Sequence, residues 1–482
     1  MVIEEEIETI NQKPLCVDLD GTIISSDCLF ESLLILLKSN IFYIVPIIYW
    51  LIHGRASLKS EIAKRISFNP TLLPYRKDLI DYIRFEKEIG RKIILATASN
   101  ELIARSIASH LGIFDQVIAS NNINLKGEAK RDALNKEFGE FAYDYIGDSK
   151  SDTHIWNSCS AAIVINPDKL NLSENIKNKI TRSFSYQTNF FKDLIYELRI
   201  YQWVKNFLLV LPLILAHKFA DIPSFINIII AFLCFGLMAS SIYLTNDMVD
   251  IESDRSHPNK RNRPLASGKL SILIGIILSP VLTLLSFTIS YLILPRHFFL
   301  ILVLYFVITT AYSFKLKRVV IIDIITLSIL FTIRIVAGAF AVNVIISPWM
   351  LAFSMFFFLS LAIVKRFIEL NLIIKSNQTE IKGRGYRAED IAFIRSLGAT
   401  SAYISVLVFA FYLNSREVVQ LYKHPDLLWL ILPLFLYWIT RILFLAHRDE
   451  IHDDPIIFAV KDKTSYGIAL AMLIIIFLSM SL

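Results

Sequence analysis

The sequence predicts two fold classes in one chain. An α/β, doubly wound domain with a helical cap is expected over residues 1–195, and an all-α polytopic membrane domain of about nine transmembrane helices over 196–482. Three observations predict this division. Apolar residues form short runs among charges up to about residue 200 and long uninterrupted segments beyond it. Within the first part, β-type runs alternate with helical stretches, the pattern of a parallel sheet covered by helices. The whole chain is 55% hydrophobic with a mean hydropathy of +0.54, too apolar for a wholly soluble protein.

Buried strands are predicted at 15–18, 92–97, 116–120, 143–148 and 161–166, each ending in polar residues. Ligands of such sheets bind outside the carboxyl ends of the strands. Asp18 and Asp20 fall there in VDLDGT, where Gly21 permits a tight turn. Thr97 and Ser99 end the second strand, Lys130 opens the helical stretch KRDALNKEF, and Asp148 and Asp152 sit in GDSKSD. Carboxylates gathered from two strand ends repel one another unless a cation lies between them, and a hard, oxygen-preferring ion such as Mg²⁺ fits. A lysine and a hydroxyl alongside would hold a phosphate.

With these motifs in order across residues 14–166, the first part resembles the haloacid dehalogenase (HAD) phosphatase superfamily. The resemblance implies a Rossmann-like fold, with Asp18 as the nucleophile that forms an aspartyl-phosphate and Asp20 as general acid/base. It also implies Thr97, Ser99 and Lys130 as phosphate ligands, and Asp18, Asp148 and Asp152 as the Mg²⁺ site. More than seventy residues separate the first motif from the second, room for a helical cap at about 24–90. That insert contains IFYIVPIIYWLI at 41–52, too short to span a bilayer. Flanking Lys38 and Arg55, with Tyr43, Tyr49 and Trp50, suit a segment lying in the membrane interface. A buried cap core is the alternative.

Nine apolar segments are expected near 204–220, 224–245, 271–294, 297–314, 319–341, 348–366, 390–413, 426–446 and 464–482. Loops on one side carry Arg255, Lys260, Arg261, Arg263, Lys269, Lys315, Lys317, Arg318, Lys375, Lys382, Arg384, Arg387, Arg448, Lys461 and Lys463. Those on the other carry Lys218, Arg296, Arg416 and Lys423. The positive-inside rule makes the first set cytoplasmic, in an inner (cytoplasmic) membrane, with the N-terminal domain inside and the C-terminus outside. The acidic start MVIEEEIETI, without a basic-then-apolar signal pattern, agrees. The four cysteines lie far apart without metal-ligand spacing and are expected to be reduced and mostly buried.

In NDMVDIESDRSHPNKRNRPLASG (246–268), Asn246, Asp250 and Asp254 are spaced i, i+4, i+8, and Asp247 is seven before Asp254. On a helix they form one acidic stripe. At membrane depth each carboxylate costs about 2.5–3.5 kcal/mol, so compensation is expected. Mg²⁺ carrying a diphosphate is the natural candidate for Asp247, Asp250 and Asp254, with Lys260 and Arg263 on the remaining phosphate charge. In 312–339, which holds Tyr312 and Lys317, Asp323 and Arg334 are eleven apart on one side of an apolar helix. They read either as an intramembrane functional pair or as a structural ion pair between helices. Lys365, Arg366 and Glu369 read as ligands or as snorkelling anchors. The loop HDDPIIFAVKDK adds Asp453, Asp454 and Asp462.

NDxxDxxxD at Asn246, Asp247, Asp250 and Asp254 makes residues 196–482 resemble the UbiA superfamily of intramembrane prenyltransferases. The second acid-rich motif is half present: Asp323 stands, but Leu327 follows four residues later. HPxKxxRP from His257, KRxxEL from Lys365 and the DDP loop resemble one branch, the polyprenyl-phosphate phosphoribosyltransferases. That branch implies a polyprenyl phosphate acceptor, phosphoribosyl pyrophosphate as donor, and Asp323, Arg334, Lys365, Tyr312 and Lys317 among the substrate ligands. The fused phosphatase would then remove the ribose 5-phosphate. Ring prenylation from a prenyl diphosphate is the second reading, and a transporter with a regulatory domain the third. No nucleic acid is expected as a partner, and a homo-oligomer is left open.

Overall fold

The structure is a computed structural model that describes residues 13–121, 123–376, 380, 384–451 and 454–481. The acidic start, Lys382 and Asp453 lie outside the described residues. The chain forms two compact units, one of residues up to 198 with 243–278, the other of 199–242 with 279 onward.

The first unit is built on a six-stranded parallel sheet of order β3-β2-β1-β4-β5-β6. The strands are β1 (Leu15–Val17), β2 (Ile93–Asn100), β3 (Gln116–Ser120), β4 (Asp144–Gly147), β5 (Ala162–Ile165) and β6 (Ile180–Phe184). Side chains alternate across a strand, and here both faces are apolar. Leu15, Val17, Ile93 and Leu95 enter one core, while Cys16, Ile94, Ala96 and Tyr145 enter the other. The chain order reverses beside β1, so the crevice opens at the end of that strand. β6 lies beyond the last strand that the sequence predicts, 161–166. It is an edge strand with Arg182 stacked over Tyr82 at 4.3 Å, and its polar, exposed face hides the β pattern.

The cap between β1 and β2 is helical: α1 (Cys28–Ser39), α2 (Ile44–Ile52), α3 (Arg55–Ala63) and α4 (Lys77–Glu88). The run 41–52 is not a buried cap core. Among α2 and the 3₁₀ turn Ile41–Tyr43 before it, Trp50 alone is buried, packed in the cluster of Leu36, Leu58 and Ile62. The acid-rich segment belongs to this unit and is fastened to the cap. Arg255 makes a bidentate pair with Glu31 at 2.6 and 3.1 Å, both side chains nearly inaccessible to water. Ser25 donates its hydroxyl to the Ser267 carbonyl at 2.9 Å, and Gly268 packs where a Cβ would overlap the Ser25 side chain.

Eight helices among the described residues are long and apolar enough to cross a membrane, or nine if a broken segment beginning at 190 counts as one span. They make this an integral membrane protein. The break lies between Glu197 and Ile200, where Arg199 is left-handed. The first expected segment, 204–220, is itself irregular: a 3₁₀ stretch, Ile200–Leu209, the short helix Leu211–Leu215 and a left-handed His217. The polar side chains of Lys205 and Asn206 in it bond to Asp454 and Arg334. Helix Ile322–Ala341 passes so close to this stretch that a Cβ on Gly338 would overlap the Leu209 carbonyl.

Breaking the buried Arg255–Glu31 pair from one side leaves a charge uncompensated. Arg255→Met is expected to cost about 3–5 kcal/mol in thermal unfolding of the detergent-solubilised protein, and Arg255→Met with Glu31→Met to recover most of it.

Candidate functional site

The crevice at the end of β1 gathers the carboxylates that the sequence places at strand ends. Asp18, Asp148 and Asp152 each offer an oxygen within 4.8 Å of the others. Gly21 has φ of +75°, and any Cβ there would collide with the Asp148 carboxylate, so glycine serves both the turn and the close approach. Lys130 is buried with its ammonium 2.8 Å from Asp18 and 3.9 Å from Asp152. It donates to the Tyr145 hydroxyl at 2.9 Å, which in turn donates to Asp152 at 3.0 Å. Asp152 also accepts from the backbone N–H groups of Asp148 and Ser149 and from the Ser149 hydroxyl. Its geometry is therefore fixed by the turn after β4.

Asp20 is held differently. It accepts from the Ser99 hydroxyl at 2.5 Å and from the Cys28 backbone N–H at 2.8 Å, where the cap begins. Ser99 is thus an Asp20 partner here, while the Thr97 hydroxyl accepts from the Ser99 N–H at 3.0 Å. Burial pushes Asp18 up to about 7 against the pull of Lys130, and burial with the nearby Asp152 pushes Asp148 up to about 7. An all-oxygen donor set in which Asp18 and Asp148 resist their charge fits Mg²⁺, which would relieve the repulsion. The cavity, about 750 Å³, is walled further by Lys59, Ile47, Leu51 and Lys269. Lys59 and Tyr145 were not legible as site residues, since neither lies in a motif.

The acid-rich segment keeps its helical spacing across a break. Helix Ile222–Val249 ends before Asp250 and Ile251–Ser256 follows, yet the N–H of Asp250 reaches the Asn246 carbonyl and that of Asp254 the Asp250 carbonyl, both at 2.8 Å. Asp247 and Asp254 are buried. Arg263 lies between them, 2.8 Å from Asp247 and 2.5 Å from Asp254, and Lys260 is 3.9 Å from Asp254. Part of the compensation expected from bound ions is therefore supplied by the chain itself.

In the second unit, Asp323 and Arg334 do not pair. Asp323, fully buried at the start of helix Ile322–Ala341, is gripped by Arg366 at 2.5 Å and Arg384 at 3.0 Å, and accepts from the Tyr312 hydroxyl at 2.7 Å. Arg334 donates to Asn206, to the Leu330 carbonyl and to the Tyr305 hydroxyl. Three helical turns separate the two groups, and each finds nearer partners on other elements. Arg366 is inaccessible to water and also bonds Glu369, which excludes a snorkelling anchor. Lys365 and Lys205 converge on one oxygen of Asp454 at 3.1 and 3.0 Å. Against burial, these two ammonium groups hold Asp454 well below the usual carboxylate range. Lys205, Asn206, Tyr305 and Arg384 escape sequence reasoning because their roles arise from contacts across helices. Lys317 lies on the 3₁₀ turn Leu316–Arg318, and Asp462 pairs with Arg441 at 2.7 Å.

Residues 207–372 match the UbiA prenyltransferase family. Over 461 residues the chain is 37% identical to the uncharacterized protein y4nM of Sinorhizobium fredii, taking in 94% of this chain and 89% of that protein. Over 284 residues it is 31% identical to the decaprenyl-phosphate phosphoribosyltransferase of Mycolicibacterium smegmatis, taking in 57% of this chain and 88% of that protein. A solved UbiA homolog from Archaeoglobus fulgidus bound to DMAPP and Mg²⁺ is 16% identical with a TM-score of 0.45, covering 59% of this chain and 99% of its own. By the length and identity of the phosphoribosyltransferase match, together with the family match over 207–372, the chain belongs to the UbiA prenyltransferase family.

Proposed function

We propose that the chain is a bifunctional membrane enzyme. Its UbiA part transfers 5-phosphoribose from phosphoribosyl pyrophosphate to a polyprenyl phosphate, and its HAD-like part removes the 5-phosphate to leave polyprenylphosphoryl ribose. The observation that carries the transferase reading is the setting of Asp323. A site that holds a second Mg²⁺ needs free carboxylates, but this acid is neutralised by Arg366 and Arg384, and Leu327 stands where its partner would be. With Lys205, Lys365 and Arg334 in the same unit, the second motif offers cations for phosphate rather than carboxylates for metal. A donor with a further phosphate on its ribose suits such a site better than a prenyl diphosphate does.

In the transferase, an oxygen of the acceptor phosphate attacks C1 of the ribose as the bond from C1 to the pyrophosphate oxygen breaks. The nucleophile is already an anion, so no strong base is required, and positioning with electrostatic stabilisation does most of the work. Asp247, Asp250 and Asp254 would hold Mg²⁺, which supplies charge neutralisation for the leaving pyrophosphate. Arg263 and Lys260, already on these acids, are positioned to take up phosphate charge.

In the phosphatase, an Asp18 oxygen attacks the 5-phosphate and the bond from phosphorus to the ribose O5 breaks, while Asp20 gives its proton to O5. Asp20 then takes a proton from the water that opens the aspartyl-phosphate and frees phosphate. Lys130 with Thr97 would hold the phosphoryl oxygens, and Asp18, Asp148 and Asp152 the Mg²⁺.

Topology follows from the first unit. Its sheet domain is bonded to the loop after the acid-rich segment, which supports placing both on one side of the membrane. On that reading helix Ile222–Val249 leaves that side and the broken segment before it crosses as well, for nine crossings. The basic loops make that side cytoplasmic and leave the C-terminus outside.

Thin-layer chromatography with Mg²⁺, labelled phosphoribosyl pyrophosphate and polyprenyl phosphate tests the proposal. Wild type is expected to give the ribosylated lipid, while Asp18→Asn, slowed roughly 10⁴-fold or more in dephosphorylation, accumulates the 5-phosphate form. If neither protein labels the lipid while folded, the donor is wrong and ring prenylation leads. Asp247→Asn is expected to slow transfer by about 10²–10³-fold with phosphatase turnover unchanged. Chelation of Mg²⁺ should stop both reactions, each restored on adding the ion back, and a transferase that survives chelation would refute the metal assignment.

A further inference from the structure

Around α2 the cap exposes apolar surface on a scale that a water-facing domain avoids. Eight of the twelve residues from Ile41 to Ile52 are exposed large hydrophobics, with Phe42 at 79%, Val45 at 72% and Ile52 at 78%. Val45, Ile48 and Ile52 lie three or four residues apart and so share one face. A second face carries Trp50 into the cap. On a third, Ile47 and Leu51 line the catalytic cavity together with Leu33 and Phe30 of α1. The same cavity is lined by Lys269 and Ser271, the residues immediately before the membrane-crossing helix Ile272–Ile293. The crevice of Asp18 therefore opens where a helix long enough to span a membrane begins. Arg55 lines the same cavity.

We propose that Val45, Ile48 and Ile52 lie in the bilayer interface and that Ile47 and Leu51 form an apolar wall along which a lipid-linked phosphomonoester enters the crevice of Asp18. The occupant of the outer face is the lipid surface itself, because the adjoining cavity wall runs directly into a membrane span. The lipid-entry clause rests on the phosphatase reading; the membrane contact does not. With its outer face in the interface and Trp50 anchoring it to the cap, the helix leaves the charged catalytic groups at headgroup depth, where a phosphate would be found. The apolar wall then makes the cap a specificity device: it favours phosphates on long prenyl chains over soluble phosphate esters.

The test uses the full chain in nanodiscs of phosphatidylcholine and phosphatidylglycerol, with a nitrobenzoxadiazole label on Val45→Cys. The four native cysteines are buried and compete poorly for the reagent. The label is expected to be quenched about twofold or more by lipids with a shallow doxyl group, and less by deep ones. Water-like emission without quenching overturns the proposal, as does a blue-shifted emission untouched by doxyl lipids, which would mean a second protein copy on this face. Separately, the triple variant Val45→Ser, Ile48→Ser, Ile52→Ser is expected to raise KM for the lipid 5-phosphate by about tenfold, with p-nitrophenyl phosphate hydrolysis unchanged. An equal loss on both substrates would mark a folding role and overturn the lipid-entry clause. If the label is quenched but wild type ignores the lipid 5-phosphate, the substrate reading fails and the membrane contact stands. If wild type cleaves that lipid while the label stays in water, the membrane contact fails and the substrate reading stands.

Discussion

A carboxylate withdrawn from water costs several kcal/mol unless a cation stays with it. The chain meets that constraint in three ways. Asp18, Asp148 and Asp152 converge with Lys130 beside Asp18 and Asp152, and burial makes Asp18 and Asp148 resist their charge, the condition a divalent cation relieves. Asp247 and Asp254 share Arg263. Asp323 is enclosed by two arginines and a tyrosine hydroxyl. The degree of satisfaction differs, and with it the chemistry available: an acid fully paired by the protein has little affinity left for metal, whereas a cluster short of positive charge retains it.

The pairing between cap and acid-rich segment gives the first unit its composition. Glu31 and Arg255 are far apart in sequence, yet their buried bidentate contact and the Ser25–Ser267 bond make one body of the sheet domain and the loop after the acid-rich segment. The consequence is proximity within this unit: residues that lead into an apolar helix long enough to span a membrane also wall the crevice of Asp18.

The second unit follows a different logic. Its helices pack through small and apolar side chains, with Gly338 admitting the Leu209 backbone and Gly398 packing on Ile363. Polar groups are few and therefore strongly committed. Lys205 and Lys365 share an Asp454 oxygen, and Arg334 spends its donors on an amide, a carbonyl and a phenol. Such groups are costly at membrane depth, which is why they mark the interior faces that bound ligands can use.

The sequence by itself determined the two fold classes, five of the six strands, the presence of the eight long apolar helices from residue 222 onward (though Pro348–Lys375 runs past its expected end at 366), and the four acid and lysine positions around Asp18. Each of these rests on local periodicity or on short motifs, which survive in one dimension. What only the tertiary structure decided is who pairs with whom. Asp323 takes Arg366 and Arg384 rather than Arg334, Arg263 bridges the acid-rich stripe, and β6 forms where no strand is predicted because an edge strand needs only one neighbour. The exposed face of α2 belongs to the same class: an apolar run reads alike whether it is core or surface, and only packing tells which. Charge pairing is non-local, set by distances across helices that spacing along a single helix does not encode.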